Sequence, residues 1–257
     1  MTPTPLVELR AVTRRFDEVL AVDGLTLDVR AGEVFGLLGP NGSGKTTTVR
    51  MIAGLLAPTS GQVRVQGADV TQDPLAARRC LGFVPDGAPL YPNLSPRQHL
   101  ELVGRLHGLD EDEIQGEALR LLTVLGLHDR IDEPVGRFSR GMRQKTALCC
   151  ALLPRPDLLV LDEPLSGLDA PTAAVFKEVL AAWAKAGRSV LYTSHLLDVV
   201  ERVCDRMAIL DQGRLVGLGS LDELRSRAGQ EGTLEQVFSS LTNSEDPALQ
   251  ARRLLDR

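Results

Sequence analysis

One glycine-rich segment constrains the fold of this 257-residue chain more than any other feature. Residues 39–46 read Gly-Pro-Asn-Gly-Ser-Gly-Lys-Thr, which fits the phosphate-loop pattern of Gly, any four residues, Gly, Lys and Ser or Thr. Glycines let backbone N–H groups curl around an anion, and a following helix presents its positive end to that anion. Because an apolar run at 33–38 precedes the segment and a helix-forming run at 48–53 follows it, the sequence predicts a strand, a phosphate-binding loop and a helix.

A second apolar run ends on two carboxylates. Residues 158–161, Leu-Leu-Val-Leu, are typical of a buried strand, and Asp162 and Glu163 follow directly. A carboxylate there is costly unless it serves a charged partner such as a metal ion. In a phosphate loop the Lys45 amine reaches the outer phosphates and the Thr46 hydroxyl ligates Mg²⁺. We therefore predict Asp162 as a second magnesium ligand and Glu163 as the residue that activates or orients the attacking water.

Strand and helix patterns alternate along most of the chain. Short apolar runs and alternating apolar and polar residues predict the strands, and a helix is predicted at 171–186. The predicted strands cover 7–13, 25–29, 33–38, 63–66, 158–161 and 189–193. Alternation of this kind indicates an α/β fold with a mostly parallel sheet and right-handed crossovers. Asp23-Gly24 and Ala31-Gly32 predict hairpin turns near the N-terminus.

The middle of the chain has a helical pattern. Ser95 is a good N-cap, Pro96 suits the first helical position, and apolar residues recur beyond them at helical spacing. We predict an inserted helical subdomain at about 89–157 within a larger domain that covers 1–220. The stretch 221–257 is more polar and helix-prone, which predicts a C-terminal helical appendage.

Composition limits the classes of partner. The chain has 29 basic and 34 acidic residues and only 4% aromatic residues, which makes it a poor candidate for binding nucleic acid. No apolar run approaches the roughly 20 residues that span a bilayer, and the first residues lack a signal-peptide pattern. We therefore expect a cytoplasmic protein that meets a membrane only through a partner. Four cysteines without CxxC spacing are expected to be reduced and partly buried: Cys80, Cys149, Cys150 and Cys204.

A third motif gives the chain a family resemblance. Residues 138–144, Phe-Ser-Arg-Gly-Met-Arg-Gln, look like the signature motif of the ATP-binding cassette (ABC) ATPases, usually Leu-Ser-Gly-Gly-Gln. The segment opens a helical stretch ahead of the strand that ends at Asp162, as in that family. A helix N-terminus with a Ser side chain is suited to binding an anion, although by itself it is more often an ordinary cap.

Further motifs follow in the order that the ABC family keeps. Ser166-Gly167-Leu168-Asp169 resembles the D-loop, which contacts the opposite subunit, and His195 stands where the family has its switch histidine. Phe16 lies upstream of the phosphate loop, where the family keeps an aromatic residue that stacks on adenine. The resemblance covers nearly the whole chain up to about Gly219.

The resemblance implies the ABC ATPase fold, which is a P-loop NTPase core with a mostly parallel sheet, an N-terminal antiparallel β subdomain and an inserted helical subdomain. It also implies ATP and Mg²⁺ as cofactors and a set of site residues. The ATP-binding residues are Phe16, Asn41, Gly42, Ser43, Gly44, Lys45, Thr46 and Thr47; the catalytic residues are Lys45, Glu163 and His195; the Mg²⁺ ligands are Thr46, Asp86 and Asp162. Ser139, Arg140, Gly141 and Met142 are expected to bind the ATP of the opposite subunit, and Asp169 belongs to the D-loop.

The sequence departs from the usual family pattern at Asp86, Arg140 and Met142, the last of which stands where the signature usually has Gln. Asp86 replaces the glutamine of the Q-loop, which links the core to the helical insert, and Arg140 replaces the first glycine of the signature. This combination, with the tail segment 233–238, is similar to the ABC-2 exporter branch, in which ATPase and membrane subunits are separate chains. The resemblance thus implies an ATPase peripheral on the cytoplasmic face, which forms a homodimer in the ATP state and powers a separate permease, with export as the direction. The alternatives are an ABC ATPase that moves no solute and a regulatory module that binds ATP without turnover.

Overall fold

The structure, a computed structural model, describes residues 5–194, 197–229 and 233–242. Its strands are β1 (Val7–Phe16), β2 (Val19–Val29), β3 (Val34–Leu38), β4 (Ser60–Val65), β5 (Ala68–Asp69), β6 (Leu81–Val84), β7 (Leu158–Asp162), β8 (Ser189–Ser194), β9 (Arg206–Asp211) and β10 (Arg214–Gly219). Its helices are α1 (Lys45–Ile52), α2 (Pro74–Arg79), α3 (Pro96–Leu106), α4 (Glu111–Val124), α5 (Arg140–Leu152), α6 (Ala170–Lys185), α7 (Leu197–Val203), α8 (Leu221–Ala228) and α9 (Leu234–Thr242). The predicted order of strand, phosphate loop and helix is present as β3, residues 39–44 and α1.

A four-stranded antiparallel sheet in the order β2-β1-β4-β5 forms the N-terminal subdomain. The hairpin predicted at Asp23-Gly24 is wrong, because both residues lie within β2, and β1 turns into β2 at 17–18. Gly24 has a φ of 60° at a point where the register between β1 and β2 shifts, so this glycine serves an irregularity within the strand. Ala31-Gly32 does form a turn, but it joins β2 to β3 of the other sheet.

The second sheet has six strands in the order β10-β9-β3-β8-β7-β6, and only the edge strand β10 runs antiparallel to its neighbour. Every residue of β3, β7 and β8 is buried, as expected for a parallel sheet covered on both faces. Because parallel strands end at the same edge, the phosphate loop after β3, Asp162 at the end of β7 and Thr193 in β8 come together there. The predicted α/β class with an antiparallel subdomain and a mostly parallel sheet is confirmed.

Helices α3, α4 and α5 form the inserted helical region. Helix α3 begins as predicted, since the Ser95 side chain accepts a hydrogen bond from Gln98 N while Gln98 accepts one from Ser95 N. Leu100, Ile114 and Leu122 are fully buried between these helices. Two short 3-10 helices, His128–Arg130 and Val135–Arg137, lead to the start of α5.

The C-terminal helices α8 and α9 pack onto the core. Leu224, Leu234 and Val237 have no exposed surface and belong to the same apolar cluster as β7 and β8. Glu201 of α7 holds both helices, because it pairs with Arg225 at 3.3 Å and accepts the backbone N–H of Leu234 at 3.4 Å. The division of the chain at residue 220 stays a prediction. Within the described ranges, no helix has the length and apolar character needed to cross a bilayer.

Candidate active site

The phosphate loop is packed closely against the strands around it. A side chain at Gly39 would collide with Ser43 and with the carbonyl of Leu210. A Cβ at Gly44, where φ is 101°, would lie 2.5 Å from the carbonyl oxygen of Ala21. Glycine is therefore required at both positions. At Gly39 a side chain has no space, and at Gly44 both the lack of space and the positive φ exclude one.

Lys45 lies at the start of α1 with its side chain folded along the loop. Its Nζ donates to the carbonyls of Gly39 at 2.7 Å and Pro40 at 3.1 Å, and it lies 4.0 Å from Oε1 of Glu163. Burial lowers the pKa of the Lys45 amine, while the carboxylates of Glu163 and Asp162 act in the opposite direction. A phosphate oxygen in the loop would give this buried ammonium a second charged partner beside Glu163.

Asp162 is the centre of a hydrogen-bonded cluster at the sheet edge. The residue is only 2% exposed, and its Oδ1 accepts from the Thr193 hydroxyl at 2.8 Å and from the Thr46 hydroxyl at 3.3 Å. Thr193 lies directly opposite Asp162 in the parallel register of β7 and β8. Thr193 was not among the predicted site residues; its one signal in the sequence is a hydroxyl near the end of a predicted strand.

Glu163 is held in an unusual backbone conformation beside this cluster. Its φ is 47°, a region that costs a non-glycine residue of the order of 1–3 kcal/mol. The Thr193 hydroxyl accepts the backbone N–H of Glu163 at 2.8 Å, so one threonine fixes both carboxylates. This backbone turns the Glu163 side chain toward Lys45 and into the adjoining cavity.

That cavity has a volume of about 510 Å³, within the range usual for small-ligand sites. All eight predicted ATP-binding residues line it, together with Asp86 and Glu163. Ala21 and Ser166 also line it and were not predicted as site residues. The structure therefore brings together residues from β1, the phosphate loop, the loop after β6 and the loop after β7.

Phe16 forms one end of the cavity. Its side chain is 41% exposed, and the guanidinium carbon of Arg14 lies 4.4 Å from the centre of the ring. Arg14 is itself held by a hydrogen bond from Nη1 to the carbonyl of Ala57 at 3.0 Å. The ring is thus supported on the protein side and open enough to stack on a planar ligand.

The signature segment lies outside the cavity of its own chain. Ser139 caps α5, since its Oγ accepts the N–H of Met142 at 3.2 Å, and a Cβ at Gly141 would lie 3.1 Å from Thr172 Oγ1. Arg140 forms an ion pair with Asp86, in which Nη2 lies 3.4 Å from Oδ1. In the part of the chain that the structure describes, none of the four predicted signature residues lines the cavity.

Of the last two predicted site residues, the structure describes Asp169 but not His195. Asp169 caps α6 by accepting the N–H of Thr172 at 2.8 Å, and hydrogen bonds from Thr172 lower the pKa of its carboxyl group. It therefore lies beside the signature helix, which contacts Thr172 through Gly141. His195, the predicted switch histidine, lies outside the described residues.

The site fits a magnesium-bound nucleotide. The Ser43 Oγ is buried and, within the described residues, has no hydrogen-bond partner, as expected of a group reserved for a phosphate oxygen. The Thr46 hydroxyl and the Asp162 carboxylate lie 3.3 Å apart and offer the oxygen ligands that Mg²⁺ prefers. A phosphate loop, a buried carboxylate at the neighbouring strand end and a second carboxylate beside it define a P-loop nucleotide hydrolase.

Comparison with known proteins identifies the family to which the chain belongs. Residues 22–166 match the family described as ABC transporter. The chain belongs to this family. It is an ATP-binding and ATP-hydrolysing subunit, and the antiparallel subdomain, the helical insert and the motif order agree with that assignment.

Similar proteins come from several bacteria. The ABC transporter ATP-binding protein NatA of Bacillus subtilis is 35% identical over 91% of this chain and 97% of its own length. The daunorubicin/doxorubicin resistance ATP-binding protein DrrA of Streptomyces peucetius is 38% identical over 88% of this chain and 69% of its own length.

Solved structures show the same fold. An ATP-binding subunit of an ABC transporter superposes with a TM-score of 0.87 at 32% identity, covering 92% of this chain and 99% of that one. A dimeric ATP-binding cassette in a post-hydrolysis state, bound to ADP and phosphate, superposes with a TM-score of 0.77 at 26% identity, covering 84% of this chain and 98% of that one.

Proposed function

We propose that the chain powers a separate membrane permease from the cytoplasmic face, with ATP closing a homodimer of the chain and hydrolysis opening it. The observation that carries the proposal is that Phe16, the phosphate loop and Glu163 line one and the same cavity. The direction we propose is export, which rests on similarity to proteins named for drug resistance and Nod factor export.

Thr46, Asp162 and Asp86 would hold the magnesium ion, which neutralises phosphate charge and fixes the outer phosphates when bound. Lys45 supplies a buried positive charge to the same phosphates. Glu163 orients and deprotonates the attacking water, because its side chain lines the cavity next to Lys45, with Oε1 4.0 Å from the Lys45 Nζ. His195 is proposed to stabilise the transferring phosphoryl group on resemblance alone.

Dimerisation explains why the signature lies away from its own cavity. We propose that Ser139 and the N-terminus of α5 bind the ATP of the partner, together with Arg140, Gly141 and Met142. A helix N-terminus carries free N–H groups and a positive dipole end, so an ATP held between two subunits bridges two positive helix ends. The structural neighbour described as a dimer with ADP and phosphate supports this arrangement.

An exposed apolar patch on the helical insert is the proposed permease contact. The patch consists of Tyr91, Leu102 and Leu106, which are 64%, 38% and 77% exposed. His99 fixes its edge, because Nε2 accepts the backbone N–H of Tyr91 at 3.0 Å and the two rings stack with centres 6.1 Å apart. Tyr91 follows Asp86 by only five residues in the chain, so a short loop connects one end of the patch to a residue that lines the nucleotide cavity.

The test is capture of the partner from native membranes. Tagged Glu163→Gln protein, which should hold ATP without hydrolysing it, is incubated with detergent-solubilised membranes and MgATP. We expect recovery of a protein with several membrane spans, and its loss in a Leu106→Glu variant. Leu119→Glu is the matched control, because Leu119 is 45% exposed on α4 outside the patch. Recovery of soluble or nucleic-acid-bound proteins alone would instead support an ABC ATPase that moves no solute.

Dimerisation and turnover are tested separately with the purified chain. Sedimentation of Glu163→Gln protein should show a dimer with MgATP and a monomer with MgADP. Turnover is measured as phosphate release by the wild-type chain. A wild-type chain that binds ATP but does not hydrolyse it, and whose Glu163→Gln variant does not dimerise, would be the regulatory module of the second alternative.

A further inference from the structure

Arg140 and Asp86 are two of the residues at which the chain departs from the usual ABC motifs, and the structure places them in contact. Arg140 Nη2 lies 3.4 Å from Asp86 Oδ1, although 54 positions separate the residues in sequence. Arg140 is the first residue of α5, and Asp86 lies in the loop after β6. The two departures therefore form one local feature.

Asp86 brings a negative charge to a cavity that takes a polyphosphate. Its side chain lines the cavity with Lys45 and Thr46. A neutral amide at this position would not repel phosphate oxygens, whereas a free carboxylate does. A carboxylate here is therefore tolerated best when a cation neutralises it.

The guanidinium of Arg140 also lies against the loop after β7. A Cβ at Gly167 would lie 3.3 Å from Cζ, Nε and Nη1 of Arg140, so the plane of the guanidinium lies against that backbone. The adjacent Ser166 lines the nucleotide cavity, whereas Arg140 does not. Arg140 is thus placed to act on the cavity through Asp86 rather than by direct contact with a nucleotide in its own chain.

We propose that, when no Mg²⁺ is bound, Arg140 is a positioning residue that holds the Asp86 carboxylate and neutralises it beside the polyphosphate of a nucleotide in the same chain. The pair then replaces the neutral glutamine usual in the family. Both side chains are about half exposed, at 43% and 56%, so solvent screens the pair. We expect an effect on nucleotide affinity of about two- to five-fold, which is the range of an exposed ion pair. The inference requires nucleotide binding but neither dimerisation nor a permease.

The experiment is a double-mutant cycle on ADP binding, measured by calorimetry on the purified full chain at low ionic strength without Mg²⁺. ADP is chosen so that ATP-driven association does not enter. We expect Arg140→Gln to weaken ADP binding about two- to five-fold, and Arg140→Lys to retain most of the wild-type affinity. In an Asp86→Asn background the same Arg140→Gln change should have no effect, because no carboxylate remains to be neutralised. The loss should shrink in about 0.5 M salt.

Arg137→Gln is the matched control, since Arg137 is an exposed arginine three residues before Arg140. Melting curves show whether each variant folds. If Arg140→Gln and Arg137→Gln weakened ADP binding equally, the proposal would be overturned, because the loss of one positive charge anywhere on this surface would explain the effect. An effect that persists in the Asp86→Asn background would also overturn it, since Arg140 would then act on the nucleotide directly.

Discussion

The Thr193 hydroxyl donates to Oδ1 of Asp162 over 2.8 Å, across two parallel strands that are buried along their whole length. The same hydroxyl accepts the backbone N–H of Glu163. Two carboxylates with different proposed tasks, metal binding and water activation, are therefore positioned by one side chain that needs to touch neither substrate nor metal.

Thr193→Val is expected to lower ATP hydrolysis by about 10- to 100-fold, because Asp162 loses a buried hydrogen-bond donor and the Glu163 backbone loses its acceptor. The free energy of unfolding should fall by about 1–3 kcal/mol, since buried polar groups are left without partners. Steady-state kinetics over a range of Mg²⁺ concentrations and a denaturant titration measure the two effects. Thr193→Ser keeps the hydroxyl and should stay close to wild type in both. If Thr193→Val matched Thr193→Ser, the positioning role would be refuted.

Glu163→Gln is expected to bind MgATP with near wild-type affinity and to lower kcat by about 10²- to 10⁴-fold, because the amide cannot accept the proton of the attacking water. A phosphate-release assay with an equilibrium binding measurement separates the two properties. Glu178→Gln, an exposed change on α6, serves as the control for loss of one negative charge. A Glu163→Gln protein with unchanged kcat would remove Glu163 from the catalytic role.

Phe16→Ala is expected to weaken ATP binding by roughly 1–3 kcal/mol, or about 5- to 150-fold in Kd, because the base loses its stacking surface. Phe16→Tyr keeps an aromatic ring over Arg14 and should bind nearly as well as wild type. Inorganic tripolyphosphate has no base, so its affinity should not change. Equal losses for ATP and tripolyphosphate would show that Phe16 shapes the phosphate site instead of the base site.

The cysteine thiols are expected to react slowly with a thiol reagent at pH 8. Burial raises the pKa of Cys150 to about 12 and raises that of the fully buried Cys149 well above its usual range, so little thiolate is present. Because the fold favours the neutral thiol, stability from this source is complete below the unfolded pKa of about 8.5 and declines as the pH rises further. Absorbance measured with an aromatic disulfide follows the reaction, with guanidinium-unfolded protein as the control. Immediate reaction of all four thiols in the native protein would contradict the prediction.

The phosphate loop could be predicted because its chemistry is local. Spacing of Gly39, Gly44, Lys45 and Thr46 within one segment is enough to specify a loop that leads from a strand into a helix. The same holds for Ser95 as the start of α3, where the capping partners are three residues apart. The hairpin prediction at Asp23-Gly24 failed because a positive-φ glycine marks a bulge as readily as a turn, and only pairing between strands distinguishes the two.

Thr193 could not be found in this way. Threonine is common in strands for its shape alone, and its role here depends on the register that sets it opposite Asp162. Arg14 is similar, because its support of Phe16 follows from the fold of β1 against the chain near Ala57. The Thr193–Asp162 and Arg14–Ala57 contacts join groups whose relative position no local spacing rule describes, whereas Arg14 and Phe16 share a face of one strand.

The sequence alone was enough to predict the chemistry proposed for this protein, because phosphate binding, magnesium ligation and water activation require particular residue types at short spacing. Tertiary structure decided which of those residues meet. Parallel strand ends bring Asp162 and Thr193 to the phosphate loop, and packing of α5 against the loops after β6 and β7 brings Arg140 to Asp86. The reason is physical: local motifs are fixed by neighbouring backbone, whereas contacts between distant segments exist only once the sheet and the helical insert have packed.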